Sequence, residues 1–185
     1  VREAVNALGS LGVVETRPGA GLCVGNFTFG SLVEMLPYGL LQDLTDLRDL
    51  LEVRHVLEVG MIASAIEVMS EETLASLKRT LDLMRRKAER GERMFDEDRR
   101  FHQLLYQDTG NRTLLKVLDA FWLACHKASQ YANLPQADPK ATYQVHLEIV
   151  RAIEAKDVAE AKASLERHYD GIYKSLRELA AKVDG

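Results

Sequence analysis

Four residues in this chain have the types and spacing of a metal site: Asp98, His102, His146 and His168. Asp98 and His102 stand four apart, so on a helix both point the same way. His146 and His168 flank a turn expected near residue 157, which is their midpoint. In an antiparallel helical hairpin, positions equidistant from the turn lie at the same height. The two imidazoles would then face each other, with the Asp98/His102 pair supplied by a third helix. One carboxylate and three imidazoles suit a divalent cation of borderline softness. Zinc is the first choice, and nickel and manganese also accept these ligands.

Burial sharpens the point. With positions placed about 100° apart, Asp98 and His102 share a face with Met94, Phe95, Phe101 and Leu105. His146 shares one with Tyr143, Ile149, Val150 and Ile153, and His168 with Ala161, Leu165 and Ile172. Polar groups buried without partners cost several kcal/mol, and a shared cation would satisfy all four. Taken singly, each histidine reads first as a hydrogen-bonded core residue, and it is the four together that favour a cation. A cation with four protein ligands could be purely structural, holding three helices together. With positions left open it could instead take a small carboxylate, or activate water as in a metal-dependent hydrolase. The hydrolase reading lacks a free general base, because Glu58 is the nearby acid and Arg54 stands four residues before it.

Arg54 lies in an apolar stripe with Leu47, Leu50, Leu51, Leu57 and Met61. A guanidinium there needs a carboxylate, either Glu58 or that of a bound effector. His126, beside Trp122 and Leu123, is a further candidate for the same cavity, whereas His55 reads as a boundary residue. The runs Arg85-Arg86-Lys87 and Arg99-Arg100 read as solvated faces.

The elements that would position these groups are helical. Helices are expected over about 45–69, 71–90, 93–109, 112–132, 139–155 and 158–182. Ser70, Asn111, Asp138 before Pro139, and Asp157 with Glu160 mark their N-termini. Ahead of them, Val1, Val5 and Leu8 form the apolar stripe of a short helix ended by Gly9 or Gly12. Two short strands, about 13–17 and 22–24, follow around the turn Pro18-Gly19-Ala20-Gly21. The fold class is therefore all-α: a six-helix antiparallel bundle over 45–185, a linker over 26–44, and a helix with a β-hairpin over 1–25.

Of 185 residues, 46% are hydrophobic and 28% charged, an ordinary globular balance. The net charge of −4 leaves any nucleic-acid contact to a local patch. Cys23 and Cys125 show no paired spacing, which favours a reducing cytoplasm. No apolar run is long enough to span a membrane, and the first residues do not read as a signal peptide.

The segment VREAVNALGSLGVVETRPGAGLCV resembles the second half of a GntR-type winged helix-turn-helix, with VREA on the recognition helix and PGAG in the wing. The remainder resembles the FCD effector domain of the FadR subfamily. Its landmarks are Arg54 with Glu58, the D-x-x-F-H motif from Asp98 to His102, Gly110-Asn111, and the two histidines 22 residues apart. The resemblance implies a homodimeric transcriptional regulator, not an enzyme, that binds operator DNA and responds to a small metabolite. In the metal-containing branch, Asp98, His102, His146 and His168 match the ligand positions, and effectors are small organic acids. The acyl-CoA-responsive branch lacks this set. Arg2 matches a recognition-helix arginine and Gly19 a wing glycine beside DNA. Val145 stands where the family often has an acid. The family's winged helix has two helices before VREA, so the residues given are expected to bind operator poorly by themselves.

Overall fold

The computed structural model describes residues 2–10, 12–25, 44–131 and 138–183. At the front, helix α1 spans Arg2–Ser10 and is followed by strands β1 (Val14–Arg17) and β2 (Gly21–Val24). The strands pair antiparallel, Val14 opposite Val24 and Arg17 opposite Gly21. Gly19 turns the hairpin with a φ of 79°, a left-handed conformation that costs glycine nothing. Gly25 passes so close to the backbone of Gly12 that no Cβ would fit there. The expected linker lies outside the described residues, except that Leu44 already begins the next helix.

Six helices follow: α2 (Leu44–Val68), α3 (Glu71–Arg90), α4 (Phe95–Tyr106), α5 (Arg112–Tyr131), α6 (Pro139–Glu154) and α7 (Val158–Val183). Their starts use the caps the sequence offers. Ser70 accepts from the Thr73 N–H, Asn111 from Leu114, Asp138 from Lys140 and Asp157 from Glu160. The capping box at Asp157 is only half made. Glu160 is engaged by Arg167 and Ser164, and the Asp157 N–H donates instead to the Ala152 carbonyl. Nor is 93–109 one helix. The α-helix begins at Phe95, and residues Gln107–Thr109 tighten into a 3-10 turn before Gly110 reverses at a φ of 67°.

The bundle buries two apolar clusters. The larger joins α2 through α7 around Ile62, Leu77, Met84, Phe101, Ile149 and Leu165. The smaller gathers Leu47, Leu51, Phe121, Cys125 and Tyr169. Helix α7 packs on α6 and on α2, and α4 on α3 and α5. Between the clusters the buried side chains are polar: Arg54, Glu58, His102 and His146. Phe101 of the larger cluster stands edge-on to His146, and Tyr169 of the smaller stands edge-on to His168.

Candidate metal centre

The α6–α7 hairpin turns at residues 155–157 and brings His146 and His168 to a ring separation of 4.9 Å. Helix α4 adds Asp98 and His102. One ligand atom from each of the four lies within 4.8 Å of every other. His102 sits 5.7 Å from the His146 ring and 5.1 Å from the His168 ring.

The protonation pattern follows from the partners. His146 Nδ1 lies 2.7 Å from the Thr142 carbonyl oxygen, which has no proton to give, so Nδ1 donates. His102 Nδ1 lies 2.6 Å from Glu58 Oε2. Burial would push the Glu58 carboxyl up, but His102 and Arg54 beside it outweigh that and hold it below the usual carboxylate range. Glu58 is thus ionised, and His102 Nδ1 donates to it. In each ring Nε2 is then the atom turned to the site. Both Nε2 atoms are buried and have no hydrogen-bond partner among the described residues. Both face the same carboxylate oxygen: Asp98 Oδ1 is 3.0 Å from His146 Nε2 and 3.7 Å from His102 Nε2. A divalent cation among them would be shared by both nitrogens and this oxygen.

Two further shifts point the same way. Burial pushes the His168 imidazole well below its ordinary value, with His146 and His102 adding to the effect, so the ring is neutral and able to ligate. Burial alone would raise the Asp98 carboxyl, yet His146, His102 and His168 hold it well below the carboxylate range. The donor set fits a borderline divalent ion, and the second nitrogens of His102 and His146 are anchored by outer partners as metal-bound imidazoles require.

A cavity of about 980 Å³ opens beside this cluster. Asp98, His168 and Arg54 line it, whereas His102 and His146 lie behind them. Arg54 donates through Nε to Glu58 Oε1 at 2.7 Å, so the structural pairing expected of it exists. Its Nη2 is buried without a partner among the described residues, which leaves a donor for a second acceptor. His126 also lines the cavity, stacked on Trp122 at 5.1 Å and edge-on to Phe95. His55 stands apart from the cluster, stacked on Tyr169 at 4.5 Å with Nε2 2.6 Å from Glu166. Glu58, the base candidate the sequence offered a hydrolase, is fully buried and held by Arg54 and His102.

Sequence reasoning missed two bonds of the site. Trp122 donates its indole N–H to Asp98 Oδ2 at 2.8 Å. Glu58 orients His102 from 44 positions away. Arg99, expected on a solvated face, is part-exposed but also held in place. Arg99 forms a two-point bond to Asp119 at 2.7 and 2.8 Å, and its guanidinium lies over the Trp122 ring. The Arg85-Arg86-Lys87 run lies on a solvated face as expected, its charges paired there with Asp82, Glu89 and Glu97.

Fold and site together define a class: a helical bundle that buries a carboxylate and three imidazoles at the floor of one large cavity. Comparison with known proteins names it. The model of the FCD domain matches residues 49–171, and the chain belongs to that family of GntR-type transcriptional regulators. The HTH-type transcriptional regulator LutR of Bacillus subtilis is 27% identical over 186 residues, spanning 93% of this chain and 81% of LutR. The HTH-type transcriptional repressor NanR of Cronobacter sakazakii is 26% identical over 189 residues, spanning 98% of this chain and 72% of NanR. Among solved structures, Streptococcus agalactiae GntR superposes with a TM-score of 0.67 at 23% identity, over 94% of this chain and 80% of that one. That likeness is one of fold. The relatives are regulators rather than enzymes, and so is this chain. Among the described residues no helix is long and apolar enough to cross a membrane.

Proposed function

We propose that this regulator senses a small carboxylate through a divalent cation held by Asp98, His102, His146 and His168. Zinc is the first candidate, with nickel or manganese as alternatives. The observation that carries the reading is the pair of buried Nε2 atoms of His102 and His146, without a hydrogen-bond partner among the described residues and both turned on Asp98 Oδ1 beside a large cavity. When bound, the cation supplies a Lewis-acidic anchor for an anionic oxygen. Arg54 Nη2 donates to the same carboxylate, and His126 lines the wall against which the rest of the effector lies. An effector seated there also meets Leu47 and Leu51, in the first turns of α2. It thereby biases the described helix that comes next in sequence after the DNA-reading residues.

Operator DNA is the second partner, read by a homodimer in the cytoplasm, with Arg2 on the recognition helix and Gly19 in the wing. The alternative, a cation that only ties α4, α6 and α7 together, is disfavoured because Asp98 and His168 line the cavity. Native mass spectrometry of the purified protein tests the proposal. The expected spectrum is a dimer with one divalent metal per chain and a co-purified organic acid lost on chelation. Metal-free protein that still binds the acid would overturn it. Metal that stays bound with no acid ever found beside it would favour the structural alternative.

A further inference from the structure

Asp98 is the one ligand with two equivalent atoms to offer, and the chain treats them differently. Oδ1 faces His146 Nε2 at 3.0 Å and His102 Nε2 at 3.7 Å. Oδ2 accepts the Trp122 indole N–H at 2.8 Å. Indole nitrogen only donates, and it has one proton, so this bond fills one of the two acceptor sites of Oδ2 and sets the direction in which the carboxylate points. Trp122 is itself 8% exposed and braced: Arg99 lies over its ring at 5.7 Å and is locked by two bonds to Asp119, while His126 stacks on it at 5.1 Å. Gln103 adds a third bond to Asp119.

We infer that Trp122 is a positioning residue that partitions the carboxylate of Asp98, reserving Oδ1 for the cation and withholding Oδ2. The chain then supplies three ring nitrogens and one oxygen. A cation that takes five or six ligands keeps its remaining positions, and these belong on the cavity side, because both Asp98 and Trp122 line the cavity. Released from the indole, Asp98 could close on the cation with both oxygens and take up a position the effector would use. The indole N–H thus acts on effector binding through the coordination number of the site, without touching the cation.

This inference rests on the cation site proposed above, so the test separates the two. Cobalt(II) is titrated into metal-free wild-type protein and into W122F while visible absorption and competition with a chelator are read. Wild-type protein that takes up no cobalt overturns the cation site itself. If wild type binds one cobalt per chain, W122F is expected to bind it about ten- to hundredfold more weakly, with d–d bands that lose intensity as the coordination number rises. Identical bands and affinities overturn the role of Trp122 and leave the cation site standing. A second measurement needs no variant, because Trp122 is the only tryptophan and gives a single indole cross-peak in a ¹H–¹⁵N spectrum. On zinc loading this proton is expected to stay hydrogen-bonded and slow to exchange with solvent. Its movement to the position of a free, exchanging indole would mean that Asp98 gives the cation both oxygens, and the partition would be wrong.

Discussion

Glu58 holds two residues at once, and both bonds are out of water. It accepts from Arg54 Nε at 2.7 Å and from His102 Nδ1 at 2.6 Å, with 0% of its side chain exposed. Glutamine is nearly isosteric but carries one oxygen and one amide nitrogen. In Glu58→Gln either Arg54 or His102 would face a donor, and the buried guanidinium would lose its counter-charge. Removing one member of a buried pair costs about 3–5 kcal/mol, so chemical denaturation should show a loss of that order. Metal affinity should fall about 10–100-fold as well, because the His102 ring loses its anchor. His146→Ala separates these effects. It deletes a ligand outright, so its affinity loss should exceed that of Glu58→Gln in the same chelator competition. An affinity equal to wild type would remove His146 from the site. Within one helix such relations are legible in sequence: Asp98 with His102 and Arg54 with Glu58 are both four-residue steps. Glu58 to His102 and Trp122 to Asp98 were not, because no periodicity relates residues 44 and 24 positions apart on different helices.

At the scale of elements, the site depends on one hairpin. The α6–α7 turn sets the heights of His146 and His168, and it does so without a glycine. Lys156 adopts a φ of 55°, its N–H donates to the Ile153 carbonyl, and the Asp157 N–H donates to the Ala152 carbonyl. This is the double closure usual where glycine ends a helix. A left-handed conformation costs a residue with a Cβ about 1–2 kcal/mol, whereas glycine costs about 0.4–1 kcal/mol in unfolded-chain entropy. Lys156→Gly should therefore stabilise the protein by up to ~1 kcal/mol in denaturant titration and leave metal binding unchanged. A destabilised variant would mean that the Lys156 side chain matters in its own right. Inserting one alanine after Ala163 should do the opposite. It turns His168 about 100° off the site, so metal binding should be lost while circular dichroism still reports a helical protein. The register of this hairpin was legible because a short turn between two capped helices fixes which positions face each other. The helix starts were legible from Ser70, Asn111, Asp138 and Asp157. The left-handed Lys156 was not, since lysine carries no signal for that conformation, and neither was the 3-10 end of α4, where Gly110 marks the stop but not the tightening before it.

At the scale of the whole molecule, the proposed sensing reaction must be felt by residues far along the chain, and thermodynamics limits how. The floor of the cavity is built by α4 and α7, but Leu47 and Leu51 at its wall belong to the beginning of α2. Occupancy of the cavity is thus linked to the end of α2 nearest in sequence to the front residues. Those residues carry no excess charge: Arg2 and Arg17 are balanced by Glu3 and Glu15, and Arg17 is ion-paired to Glu15. General attraction to phosphate from this stretch is therefore weak, and orientation against the DNA should decide affinity. Arg2→Ala should weaken operator binding while leaving the affinity for the acid unchanged. If the acid changes operator affinity by some factor, operator must change the affinity for the acid by the same factor, about 5–150-fold for couplings of ordinary size. The natural full-length protein, an operator duplex and the acid identified by mass spectrometry allow both halves to be measured, by fluorescence anisotropy and by calorimetry. The two factors should agree, and both should collapse toward about one when the cation is stripped, because the acid then has nothing in the cavity floor to distinguish one bundle conformation from another. A factor that survives stripping would place the origin of the coupling outside Asp98 and the three histidines. It would leave Arg54 as the group through which the acid is felt.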